Sequence, residues 1–208
     1  MSMAQRERRA LVDTMSAVGP DAPTLCGDWT VRDLAAHLVV RERRPDASPG
    51  IMLKPLAGYL ESVQAKAAQR PFPDLLEDVR SGPPWWSPLK PFDAAANMTE
   101  MFVHHEDVRR AAPGWEPREL SAADEDKLWT TLRRMGKMAY RKSPVTVELV
   151  TLDGRRAIAR TKSGTATVTL TGKPSELVLH AFGRDEVRIE STGDGDAVRA
   201  VLNLDRSI

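Results

Sequence analysis

The sequence predicts the α+β fold class, with a helical bundle over residues 1–143 and a small α+β domain over residues 144–208. Three observations predict it. In the first part apolar residues recur three and four apart, the spacing that lines one face of a helix. Beyond Pro144 the apolar period shortens to two, in VTVELVTLDG, RRAIARTK and TATVTLTG. Proline, glycine and helix-capping residues stand where one run gives way to the next.

Leu11, Val12, Met15 and Val18 define the first helix, after the charged run Arg6 to Arg9. Thr30 is the N-cap of the second, VRDLAAHLVV, with Asp33 at the third helical position as its capping partner, and Pro45 and Pro49 end it. The third runs from Ile51 to Gln69, lined by Leu53, Leu56, Leu60 and Val63. A proline-rich stretch, RPFPDLLEDVRSGPPWWSPLKPF, holds a short helical piece and the pair Trp85–Trp86, which reads as packing or as a lid over a cavity. Asp93 to Ala112 is the fourth long helix, stopped by Pro113 and Gly114, and Asp124 to Arg141 is the fifth. The second part has turns at Asp153-Gly154 and Ser163-Gly164, a short helix in SELVLHAFG, a strand in EVRIES and a last helix from Asp194 to Asn203. Neither an internal repeat nor a low-complexity tract is present.

Composition narrows the function classes. The chain is 41% hydrophobic and 28% charged, ordinary for a globular protein, and its net charge of +1 lacks the clustered positive excess that phosphate backbones require. No apolar run approaches the ~20 residues of a membrane span, and MSMAQRERRALVDTM is a charged amphipathic stretch without a signal-peptide core. Cys26 is the single cysteine, so no internal disulfide framework forms and a reducing cytoplasm is the expected setting. The expectation is a monomer or homodimer with neither nucleic acid nor membrane as partner.

Chemistry concentrates in TEMFVHHEDVRRAA, Thr99 to Ala112, which carries two of the four histidines. Glu100 and His104 are four apart and share a helix face, whereas His105 is rotated about 100° from His104. A carboxylate and an imidazole on one bundle-facing helix suit a divalent metal, because bundles build metal sites from inward-facing side chains on neighbouring helices. Zinc takes more than two ligands, and the third comes from His37, His105, His180 or Cys26. His37 is the best placed, on another helix among Leu34, Ala35 and Leu38. The alternative for Glu100 and His104 is a hydrogen-bonded pair on a helix face. Cys26 reads as a small buried hydrophobe and Arg109-Arg110 as a solvated face near a helix C-terminus.

LCGDWTVRDLAAHL, with the distant E-x-x-x-H of TEMFVHHEDVRRA, resembles the maleylpyruvate isomerase-like proteins of actinobacteria, of the DinB-like superfamily of thiol-dependent enzymes. The likeness covers nearly the whole chain, more loosely in the tail VTLTGKPSELVLHAFGR, and departs from the family at Asp28, where glycine is commoner. It implies a DinB-like bundle followed by a domain like that of sterol carrier proteins. It also implies one divalent metal, usually zinc, held by His37, Glu100 and His104. An open position on such a metal lowers the pKa of the water or thiol that occupies it. The resemblance therefore implies a low-molecular-weight thiol, mycothiol in actinobacteria, directed at a small electrophile, with S-transfer or isomerisation as the outcome. It further implies that Arg184 clamps a carboxylate of thiol or substrate; the alternative is a surface arginine. Asp33 has two readings, helix cap or orienting partner of His37. The rival functions are a metal-water hydrolase of a thiol conjugate, a non-catalytic small-molecule carrier with a structural metal, and a partner-binding module without metal.

Overall fold

Ser2 Oγ accepts from the Gln5 N–H while Gln5 Oε1 accepts from the Ser2 N–H, a reciprocal cap that opens α1 (Met3–Val18) in the computed structural model. The structure describes residues 1–47, 50, 53–87 and 93–206. Packing divides the chain into two units, Met1–Trp115 and Glu116–Ile208.

Among the described residues the first unit holds five α-helices: α1, α2 (Val31–Arg43), α3 (Ala57–Ala68), α4 (Phe72–Ser81) and α5 (Asp93–Arg110). Leu11, Val12 and Met15 of α1 meet Leu34, Ala35 and Leu38 of α2, Leu75 and Val79 of α4, and Met101 and Val108 of α5 in one buried core. Val40, Leu60 and Val63 tie α3 to α2 in a smaller cluster. Two buried polar seams cross this apolar frame. Arg8 donates to both carboxylate oxygens of Glu42 and to the Val79 carbonyl, so its charge is paired and its donors are used. His105 bonds Glu7 through Nδ1 and Thr14 through Nε2, joining α5 to α1.

The third helix departs from expectation. Lys54–Leu56 form a 3-10 turn and the α-helix begins only at Ala57, because Pro55 supplies no N–H for an α-helical ladder. Leu53 and Leu56, expected on the buried face, are accordingly exposed, and Ile51 and Met52 lie outside the described residues. Val18, in the last turn of α1, is exposed as well.

The second unit starts earlier than the expected boundary at residue 143. Its first helix, α6 (Ala122–Ala139), packs on α7 (Pro174–Ala181) and on β2 (Arg156–Arg160), so it belongs with the sheet and not with the bundle. Its apolar face specifies a buried partner without naming which one. β1 (Thr146–Thr151), β2, β3 (Thr167–Gly172) and β4 (Ile189–Thr192) form one sheet in the order β2-β1-β3-β4, with the central β1–β3 pair parallel and both outer pairs antiparallel. Val147, Leu149, Val168 and Leu170 are buried at alternate positions, and α8 (Gly195–Leu202) packs on β3. Gly193 is required before α8: its φ is +146°, and a Cβ there would stand 2.8 Å from the Thr167 carbonyl oxygen. None of the described helices is long and apolar enough to cross a membrane.

The helix that carries His37 begins at a cap legible in the sequence. Thr30 Oγ1 accepts from the Asp33 N–H, and Asp33 Oδ2 accepts from the Thr30 N–H at 3.0 Å and from its hydroxyl at 2.6 Å. Thr30→Ala is expected to destabilise the first unit by about 1 kcal/mol, seen as a lower denaturation midpoint with an unchanged slope.

Candidate metal centre

Three side chains from two helices converge at one carboxylate oxygen. His104 Nε2 lies 3.3 Å and His37 Nε2 3.7 Å from Glu100 Oε1, and donor atoms of all three residues lie within 4.8 Å of one another. The two imidazole rings are 5.7 Å apart between centroids and tilted by 72°, so they face a common point edge to face instead of stacking. Ligands bound about 2.0–2.2 Å from one zinc stand about 3.3–3.6 Å apart in a tetrahedron, so the set fits with small adjustment. The cause in sequence is simple. Glu100 and His104 are one turn apart on α5, and His37 faces them because Leu34, Ala35 and Leu38 bury the surrounding face of α2.

Each histidine is held from behind. His104 Nδ1 is 2.9 Å from Asp107 Oδ2, whose side chain is wholly buried; the ring donates there and its Nε2 lone pair is left for the centre. Asp107 also accepts from the Cys26 thiol at 3.1 Å, and its carbonyl accepts from the Leu25 N–H. One residue thus ties α5 to the loop before α2, where Gly27 takes φ +63° to complete the turn. His37 Nδ1 lies 2.8 Å from the Gln64 amide on α3, and Trp29 covers the His37 ring at 5.1 Å between centroids. A metal at His37 Nε2 requires the proton on Nδ1, which Gln64 accepts once its amide turns its oxygen inward.

Burial lowers the His37 pKa, which keeps that imidazole neutral as a ligand must be. For Glu100 burial pushes the carboxyl up, but hydrogen bonds from His104 and His37, with the charges of His104 and Arg41, overcome it and hold the group well below the usual carboxylate range. Burial lowers His104 in the same way, and its bonds to Asp107, Cys26 and Glu100 reverse that and raise it well above an ordinary histidine. The site is not sealed: the Glu100 side chain is 23% exposed, against 11% for His37 and 12% for His104.

Cys26, His104 and Asp107 form a second group whose donor atoms also lie within metal-binding reach. It shares His104 and uses the opposite ring nitrogen. Its members are already joined by hydrogen bonds and Asp107 is wholly buried, so that side offers no place for a substrate.

The remaining sequence candidates fall elsewhere. His105 serves the α1–α5 seam. His180, buried in the second unit, shares a hydrogen bond with the Tyr140 hydroxyl. Asp33 is the helix cap. Cys26 is half-buried against the core, as an apolar residue would be, but its thiol has the specific partner Asp107. Arg110 is not solvated: it is buried, donates to Glu106 at 2.6 Å and lies over the Trp115 ring. Trp85 and Trp86 are exposed, and residues 88–92 beyond them lie outside the described residues. Arg184 belongs to the second unit, where it donates to the Phe182 carbonyl. Asp107, three residues after His104 on the same helix, was readable from spacing; Gln64 carries no such signal.

Comparisons with protein-family models, with curated proteins and with solved structures find no match. The centre is therefore defined by its own geometry.

If this group of residues takes up a divalent metal, Asp107→Asn is expected to weaken its binding by about 10–100-fold, because an amide can present its NH₂ to Nδ1 and turn the ring proton onto the metal-facing nitrogen. Competition against a chromophoric chelator measures it; an unchanged affinity would remove Asp107 from the centre.

Proposed function

We propose that this chain is a metal-dependent enzyme of the maleylpyruvate isomerase-like, DinB-like kind, which directs a low-molecular-weight thiol such as mycothiol at a small electrophile. S-transfer or isomerisation is the outcome. The observation that carries the reading is the convergence of His37, Glu100 and His104 within 4.8 Å on a partly open face. A divalent cation there, zinc by its two-imidazole, one-carboxylate donor set, supplies Lewis acidity that lowers the pKa of a thiol. The protein's own residues do the rest. His37 is held neutral by burial, His104 would give up its Nε2 proton to a bound cation, Asp107 and Gln64 fix the two ring orientations, and Trp29 packs over the His37 ring.

One observation weighs against a carrier with a structural metal. A closed site needs a fourth protein ligand, and His105 is engaged through both nitrogens while Cys26 lies on the Nδ1 side of His104.

The test is zinc-loaded protein with an electrophilic chromogenic substrate, 1-chloro-2,4-dinitrobenzene, and mycothiol. Thiol consumption that requires zinc and vanishes in His104→Ala supports the reading. Turnover of a thiol amide without added thiol favours the hydrolase, and a wild type that retains no zinc ends the metal reading.

A further inference from the structure

The two ring nitrogens of His104 face different donors. Nε2 meets Glu100 and His37, and Nδ1 meets Asp107 and Cys26. The second set is the tighter. Asp107 Oδ2 lies 2.9 Å from Nδ1 and 3.1 Å from Cys26 Sγ, and Sγ lies 3.8 Å from Nδ1. Those three separations bracket the about 3.3–3.6 Å between nitrogen, oxygen and sulfur ligands around one tetrahedral zinc-sized ion. The loop before α2 keeps the sulfur there. The Leu25 N–H donates to the Asp107 carbonyl, the Cys26 N–H donates to Thr24 Oγ1, and that hydroxyl donates to the Trp29 carbonyl.

The thiol sets this group apart from His37, Glu100 and His104, which offer only nitrogen and oxygen. A thiolate is a soft donor and favours soft cations such as cadmium or cuprous copper. On binding, the Cys26 thiol gives its proton to solvent and forms one sulfur–metal bond. A neutral imidazole carries one ring proton and lends one lone pair. With a metal on Nδ1 the proton sits on Nε2, where Glu100 accepts it at 3.3 Å; with a metal on Nε2 it sits on Nδ1, where Asp107 accepts it. One histidine thus serves either position and not both together.

We propose that Cys26, Asp107 and Nδ1 of His104 form a second metal site, selective for a soft thiophilic cation, and that filling it expels zinc from the His37–Glu100–His104 position. Only the expulsion rests on the metal reading above; the thiolate site stands on its own geometry.

Cadmium ion alone, added to the full chain with and without bound zinc, tests it. Wild type is expected to develop a thiolate-to-cadmium charge-transfer band in the ultraviolet, and elemental analysis after gel filtration is expected to find zinc lost in proportion to cadmium gained. Cys26→Ser keeps a hydrogen-bond donor for Asp107. It is expected to hold zinc within about twofold of wild type, to lack the band and to bind cadmium at least about tenfold more weakly. Glu100→Gln is expected to do the reverse, keeping the band and losing zinc affinity at least about tenfold. The wild-type spectrum and metal content decide the matter if Cys26→Ser does not fold. Cadmium uptake without the band, or a band that leaves the zinc in place, overturns the proposal and leaves the zinc reading standing. Undiminished cadmium affinity in Asp107→Asn overturns it as well, because the sulfur then binds alone. A wild type that gives the band but takes up no zinc ends the zinc reading and supports the thiolate site.

Discussion

His104→Ala is expected to lower zinc affinity at least about a hundredfold, while His105→Ala, one position along, leaves it within about twofold. The size follows from sharing: apparent binding of about 10–16 kcal/mol in four-ligand structural zinc sites is about 2.5–4 kcal/mol per ligand, on the order of a hundredfold. The contrast follows from rotation about the helix. His104 turns Nε2 to Glu100 and Nδ1 to Asp107, whereas His105 points to α1 and spends its nitrogens on Glu7 and Thr14. The second substitution should therefore appear in stability, because it leaves the Glu7 carboxylate buried without its imidazole. Chelator competition reads the first effect and urea denaturation the second. If both variants lose zinc equally, the loss is one of folding and the assignment of His104 fails; if neither does, the centre is not where the two helices meet.

This adjacency also shows what a sequence can and cannot disclose. Glu100 and His104 were legible because a helix turns a spacing of four into a shared face, and the apolar neighbours of His37 fixed which way that ring points. The same rule reaches Asp107 and Arg41, each within a turn of a ligand. Gln64 was not legible, since its partner lies 27 residues away across a loop whose path no local pattern encodes. The cap at Thr30 was readable because both its partners are local. The assignment of α6 to the sheet was not, because amphipathicity demands burial and is silent on the burying surface. Arg110 misled for a related reason: charge at a helix C-terminus is favoured in water, but here Glu106 and Trp115 provide a partner and a ring that make burial cheaper.

The second large effect lies in the second unit and concerns acid. His180 is buried, and burial, with the nearby Arg206 charge, lowers its pKa from an ordinary value near 6.5 to about 3. Nδ1 and the Tyr140 hydroxyl share a hydrogen bond of 2.7 Å, the rings stack, and Nε2 finds no partner among the described residues, so the pocket offers no acceptor for a second ring proton. The unfolded chain takes up this proton as pH falls through about 6.5, while the folded chain declines it until about 3. The unfolded state then binds more protons and gains stability as pH falls. The contribution of His180 is thus fully present above pH 6.5 and is lost progressively toward pH 3. Between pH 7 and pH 4 the loss is about 3 kcal/mol. Replacing His180 with leucine removes the titrating group but strands the Tyr140 hydroxyl, a cost that is the same at every pH. Urea denaturation of wild type and His180→Leu across that range is therefore expected to give curves of stability against pH that converge or cross as acid is added. Parallel curves would mean that the folded protein admits the proton, and that Tyr140 and Arg206 do not hold this ring neutral.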